Sequence, residues 1–437
     1  MHKLCVVIGA LLLLAAASSA QAQCPAGLPL HTTCHAGQDT NGAFFLIAVP
    51  ANYNHRLVLW NHGYSLDPPK PLTAADLGPP AALLQLGFAA AASSYLPNAV
   101  GLGGWPFPDA AEDSEHLRQQ FVTIWGRPEL TFVVGASEGG LVTAMMAERF
   151  GRDRGGRLNY DGVLPLCGPL AGGQRNFWGG FDLRAIYQYY CRNLPRPNEL
   201  QYPLYLGLAP NNAITPQGLA QRINECTGAL QPPPTRTAQQ RRNLANIVGV
   251  AKIPENFLVT DMFFATFALA ELTQVRTHGL SPVTNLSVEY TGSEDDAALN
   301  AGVFRAGSND EAAEFLEHSS TPRGRVRMPT LTMHTIGDGL VIVENEHEYR
   351  EIREEAGTLR RLLQVFTDAN GHCEFSQAES LAAFQALLTW VQTHQRPTKT
   401  QVAGLCEQFR AAVGGTCKLN LLFRPGEMDA RIPDREE

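Results

Sequence analysis

Two kinds of segment are missing from this chain: a run of basic residues and, beyond the N-terminus, an uninterrupted apolar stretch of membrane length. The first absence, with a formal net charge of −8 and a pI near 5.9, argues against nucleic acid or an anionic membrane as partner. The second leads us to expect no stable membrane insertion. Also missing are a phosphate-binding glycine loop, a His-Glu-x-x-His pair and any paired metal-ligand spacing. No metal and no organic cofactor are therefore expected. Internal repeats and extended low-complexity segments are lacking too. Charge is sparse, at 17% against 44% hydrophobic residues, which suits a globular protein with a large core.

What is present begins with an export signal. Met1-His2-Lys3 gives a short positive start, Val6 to Ala17 an apolar run, and Ala20-Gln21-Ala22 a small-x-small cleavage pattern. Residues 1–22 are read as a signal peptide, so the protein is expected to be secreted or periplasmic. Gln23 is not the small residue that lipid attachment at Cys24 would want. Removal of the leader takes Cys5 and leaves eight of nine cysteines. An even count in an exported chain points to disulfides, although eight cysteines admit about a hundred pairings. Short spacing suggests Cys24–Cys34, Cys406–Cys417 and Cys191–Cys226, leaving Cys167 and Cys373 for each other. A metal site around His31, Cys34 and His35 is the weaker reading.

Along the chain, short apolar runs at 43–50, 56–61, 87–94, 130–134 and 162–166 read as buried strands. Helical spacing at 112–126, closed by Gly126, and at 141–150 separates some of them. Alternation of this kind implies an α/β protein with a mostly parallel sheet covered on both faces. Residues 171–328 change character, with proline-rich turns and helical stretches at 238–250 and 256–275. We expect a helical lid or cap inserted into the core, with at most a short strand at 287–290. Strands resume at 330–335 and 362–366, separated by a helix at 344–356, and a helix at 377–393 closes the fold. The core is thus expected over residues 23–170 and 329–395, with a loop-like tail at 396–437 pinned by a disulfide.

The chemistry concentrates in three loops. Gly135-Ala136-Ser137-Glu138-Gly139 lies between a predicted strand and a predicted helix, where a serine on a sharp turn needs glycines two residues to either side. A serine hydroxyl requires a base, and the base requires an orienting acid. After this kind of turn the partners follow in the order acid, then His, each on a loop after a later strand. Asp338, within Gly337-Asp338-Gly339, and His372, within Gly371-His372-Cys373, occupy those places. Glu344, Glu346 and Asp368 compete with Asp338 as the acid, whereas His334 lies within a strand and reads as core. Oxyanion donors are expected from the backbone N–H of Glu138 and, through Asn61-His62-Gly63-Tyr64, from that of Tyr64. Trp105 and Phe107, on an aromatic loop, either contact substrate or pack internally.

This set of motifs resembles the α/β-hydrolase superfamily, specifically secreted esterase-like members with a large insertion between the sixth and seventh strands. The resemblance spans residues of about 43–395 and implies a serine hydrolase acting on carboxylic esters, small or polymeric. A serine peptidase or amidase of prolyl-oligopeptidase type is the nearest alternative, and an inactive binding protein on the same fold a third. Tannase-like members carry a Cys beside the nucleophile and another after the His. Here Ala136 replaces the first, so Cys167 is the expected partner of Cys373. Oligomeric state is left open.

Overall fold

The computed structural model describes residues 24–435; the expected leader, residues 1–22, lies outside them. The eight strands are β1 (Thr33–Gln38), β2 (Phe44–Val49), β3 (Arg56–Asn61), β4 (Ala89–Ser93), β5 (Leu130–Ala136), β6 (Gly162–Leu166), β7 (Thr330–Thr335) and β8 (Leu362–Thr367). They form one sheet in the order β1-β2-β4-β3-β5-β6-β7-β8. β2 pairs antiparallel with both β1 and β4, and the remaining pairs are parallel. The chain is α/β, as its alternating pattern implied.

Alternation along the strands distributes the core. Val58 and Trp60 of β3 face a layer containing the helix Gln377–Thr393, through Ala382, Phe384 and Leu387. Leu57 and Leu59 face the opposite layer, built by α1 (Ala110–Trp125) and α2 (Glu138–Arg149) through Leu117, Phe121, Leu141 and Met145. Because both faces are covered, the central strands are apolar throughout rather than alternating. This leaves the sheet's C-terminal edge as the place where loops meet.

Between β6 and β7 the chain builds a helical layer with its own core, beginning with α3 (Gly173–Cys191). Leu183, Ile186, Leu219, Ile223, Leu244, Ile247 and Met262 meet there. Its longest apolar helix, Glu255–Arg276, is long and apolar enough to cross a membrane, with a mean hydropathy of 1.3 over its best window. Asp261 and Glu271 interrupt it, so it is not an uninterrupted apolar stretch. More than half of the window, 56%, is buried inside the protein, where the helix roofs the sheet edge. Two stretches of it, Phe264–Ala268 and Leu272–Arg276, are π-helical.

Three local expectations differ from the fold. β1 was not anticipated, because Thr33–Gln38 is polar and alternates only weakly along an exposed sheet edge. Residues 287–290 form no strand: Tyr290 is anchored by Asn300 and Asp182 instead. The tail is not loop-like, since Lys399–Val413 is a helix whose Thr398 and Gln401 form a capping box. The disulfides are Cys24–Cys34, Cys167–Cys373, Cys191–Cys226 and Cys406–Cys417, the expected pairing. Four such bridges are consistent with an extracellular or periplasmic location.

Candidate active site

Ser137 sits where β5 turns into α2, with φ 58° and ψ −132°. This backbone region is sparsely populated by residues with a Cβ and costs roughly 1–3 kcal/mol. The turn is tight enough to exclude side chains around it. A Cβ on Gly139 would stand 2.1 Å from the Asn61 carbonyl oxygen, and one on Gly135 equally close to that of Gly139. The Ser137 N–H donates to the Leu166 carbonyl at 2.9 Å, which ties the turn to β6.

His372 approaches from the loop after β8. Its Nε2 lies 2.8 Å from Ser137 Oγ, and its Nδ1 lies 2.7 Å from Asp338 Oδ2. Asp338, from the turn after β7, is 4% exposed. Its other oxygen accepts the N–H groups of Leu340 (3.0 Å) and Val341 (3.1 Å). The two loops are laced together by Thr335 Oγ1 donating to Gly371 O at 2.7 Å and Gly337 N–H donating to Ala369 O at 2.9 Å. Behind them the Cys167–Cys373 bridge fastens the residue after His372 to the end of β6.

The competing acids are engaged elsewhere. Glu344 pairs with Arg431 at 3.1 Å, Glu346 accepts from Thr332 and Gln364 (both 2.6 Å), and Asp368 accepts from Asn420 at 3.2 Å. His334 is fully buried in β7, with Nε2 on the Val341 carbonyl at 2.8 Å. Burial opposes its imidazolium, but Glu346 and Asp338 outweigh that and raise its pKa. It braces the turn that carries Asp338 and does not reach Ser137.

The loop after β3 lies against the serine turn. Asn61 donates to Thr143 Oγ1 at 2.9 Å and accepts from Ser114 at 2.7 Å, locking β3 onto both covering helices. His62 stacks on Tyr95, centroids 4.1 Å apart, and the Tyr95 hydroxyl donates to the His62 carbonyl at 3.0 Å. A Cβ on Gly63 would come 3.6 Å from Ser137 Oγ, so the Gly63-Tyr64 backbone passes beside the hydroxyl. Glu138 opens α2 directly after Ser137, where the first N–H groups of a helix lack internal acceptors.

A cavity of about 100 Å³ opens on these groups. Tyr64, Ser137, Glu138, Trp105, Phe177, Phe264 and Leu269 are among the residues that line it. Trp105 is positioned by Glu271, which accepts its backbone N–H at 2.9 Å while pairing with Arg276 at 2.9 Å. Phe107 does not line the cavity: it is fully buried behind Trp105, centroids 4.8 Å apart, and its part is packing. Composition had not singled out the Glu138 side chain, Phe177, Phe264 or Glu271. Burial holds the Glu138 carboxyl well above its ordinary pKa, with the Glu271 charge adding to the effect. Burial thus disfavours a negative charge on this carboxyl, which adjoins Ser137. Among the described residues no cluster of three or more His, Cys, Asp or Glu could hold a metal ion.

No family model and no curated protein matches the chain. Solved structures do. The rice cell wall degrading esterase LipA from Xanthomonas oryzae aligns at 12% identity and a TM-score of 0.39, covering 83% of this chain and 89% of that one. The Pyrococcus furiosus esterase Pf2001 aligns at 11% identity and a TM-score of 0.39, covering 84% and 91%. The Pyrococcus horikoshii acylaminoacyl peptidase aligns at 7% identity and a TM-score of 0.39, covering 84% of this chain but 42% of its own. At these scores none of them bears on the chemistry, which the side chains must carry themselves.

Proposed function

We propose that the protein is an exported serine hydrolase of α/β-hydrolase type that cleaves carboxylic esters through an acyl-enzyme. The observation that carries this is the unbroken hydrogen-bond chain Asp338–His372–Ser137, at 2.7 and 2.8 Å, ending on a serine held at a strained turn. His372 Nε2 takes the Ser137 proton as Oγ attacks the ester carbonyl, and Asp338 fixes the imidazole with its second nitrogen protonated. The resulting oxyanion is received by the N–H groups of Tyr64 and Glu138. Each such donor is worth roughly 2.7–4 kcal/mol in the transition state. Collapse expels the alcohol, protonated by His372, and water then repeats the sequence on the acyl-enzyme to release the acid.

The helical layer over residues 171–328 serves in this proposal as a cap that sets the pocket. Residues 1–22 direct export, in keeping with four disulfides. A fluorophosphonate probe should label the protein at Ser137, and Ser137→Ala should abolish labelling and turnover of p-nitrophenyl butyrate. Faster cleavage of a peptide p-nitroanilide than of the ester would move the assignment to an amidase. A wild-type protein that neither labels nor turns over either substrate is no serine hydrolase.

A further inference from the structure

A second cavity, of about 130 Å³, adjoins the first and shares Asn176, Gly180, Phe264 and Leu340 with it. Its character is different. The cavity at Ser137 is walled mainly by rings and aliphatic groups, whereas Asp261, Lys252, Glu289, Tyr290 and Arg431 line this one. Asp261 comes from the roof helix one residue-turn before its π-helical stretch, a backbone irregularity that recurs at functional sites. Its residue is only 8% exposed, and neither carboxyl oxygen has a hydrogen-bond partner. Arg431, which lines the same cavity, also has its Nε buried without a partner, the guanidinium being engaged by Glu344 at 3.1 Å rather than by Asp261.

Such groups are costly to leave unsatisfied, at about 1–3 kcal/mol each. The wall that brings Arg431 is nonetheless firmly built. Residues 428–435 cross the cap as a strap, with Arg435 buried on Asp182 and the Thr284 carbonyl and Lys252 donating to Ala430 O at 2.6 Å. The cavity is therefore part of the fold, and its lining carries both unmet acceptors and an unmet donor. A hydroxyl group both donates and accepts, and is suited to either kind of group.

We propose that this cavity is the alcohol subsite and that it selects esters whose alcohol carries free hydroxyl groups, recognised by Asp261 and Arg431. An apolar acyl group occupies the cavity beside Tyr64 and Trp105. The proposal rests on Ser137 being the nucleophile. Burial, with the Asp338 charge adding to it, holds the Asp261 carboxyl well above its ordinary pKa, which favours a hydroxyl over an ammonium group as its partner.

The test uses two esters with the same acyl group and a three-carbon alcohol, 1-monobutyrin and n-propyl butyrate. The wild-type protein should favour 1-monobutyrin at least about tenfold in kcat/KM, because a site built for hydroxyls is left unpaired by the analogue lacking them. Asp261→Leu should remove that preference while leaving n-propyl butyrate turnover and the rate of fluorophosphonate labelling within about twofold. It should not lower Tm, since it deletes a buried carboxyl without a partner. Arg431→Met should act in the same direction and serves if the first variant folds poorly. Equal use of both esters by the wild type, or a parallel fall of both in the variants, overturns the subsite while leaving the hydrolase intact. No labelling and no turnover of either ester overturns the hydrolase, and the subsite with it.

Discussion

Replacing Asp338 by asparagine probes the proposed mechanism at one atom. Oδ1 of Asp338 accepts two N–H groups, from Leu340 at 3.0 Å and Val341 at 3.1 Å, and only an amide oxygen can take over that role. The amide NH₂ must then face His372 Nδ1, now 2.7 Å from Oδ2. Nδ1 is thereby forced to accept, so the imidazole proton moves to Nε2, the atom facing Ser137 Oγ at 2.8 Å. A donor stands where the base is needed, and the hydroxyl cannot be deprotonated. The expected loss is about 10⁴-fold in kcat, or roughly 5.5 kcal/mol of transition-state stabilisation. Packing is nearly isosteric, so Tm should move little. The assay is kcat and kcat/KM on p-nitrophenyl butyrate, beside a thermal melt. Asp338→Asn retaining more than a tenth of wild-type kcat, with its melt unchanged, would refute the role given to this carboxylate.

Two further outcomes follow from groups around the site. The Cys167→Ala/Cys373→Ala double variant opens a link across 206 residues, which on the chain-entropy account stabilises by at most about 5 kcal/mol. Because Cys373 adjoins His372, kcat measured well below the melting temperature should fall too, and a kcat within twofold of wild type would argue that the bridge does not position the histidine. Burial raises the Asp113 carboxyl to about 7, against the pull of the Leu96 N–H at 2.7 Å. Its folded-state pKa exceeds the ordinary 3.8, so native protein holds a proton that the unfolded chain releases. Its contribution is present below about pH 4 and lost as pH rises through about 7. Denaturant titrations of Asp113→Asn should show a flatter decline across that window, and an unaltered slope would count against the assignment.

The parts of the molecule legible from sequence are those whose cause is local. Strand runs such as Leu57–Trp60 announce burial on both faces, and Gly135 and Gly139 announce a turn that tolerates no side chain. Asp338 and His372 were found by their places after β7 and β8, although what joins them to Ser137 is long-range. The failures have equally physical sources. β1 pairs through its backbone, so Thr33–Gln38 carries almost no side-chain signature. The helix Lys399–Val413 carries a cap at Thr398 and Gln401 and buries Val402 and Cys406 four residues apart, but so short an apolar spacing beside the Cys406–Cys417 bridge fits a disulfide-held loop equally well. Phe107 could not be separated from Trp105, because which ring reaches a cavity depends on Glu271, distant in sequence, holding the Trp105 backbone. Asp261 and Glu271 did leave one trace, as lone acids in an otherwise apolar helix, where an unpaired charge is expensive.

The helix Glu255–Arg276 contributes no reacting atom, yet Asp261, Phe264 and Leu269 from its successive turns look down on both chambers. The reacting groups hang from sheet loops that this helix does not form. Under the proposed assignments, part of the lining of both chambers is written in a stretch of chain apart from the triad loops, and drift there can alter selectivity without touching Ser137, Asp338 or His372.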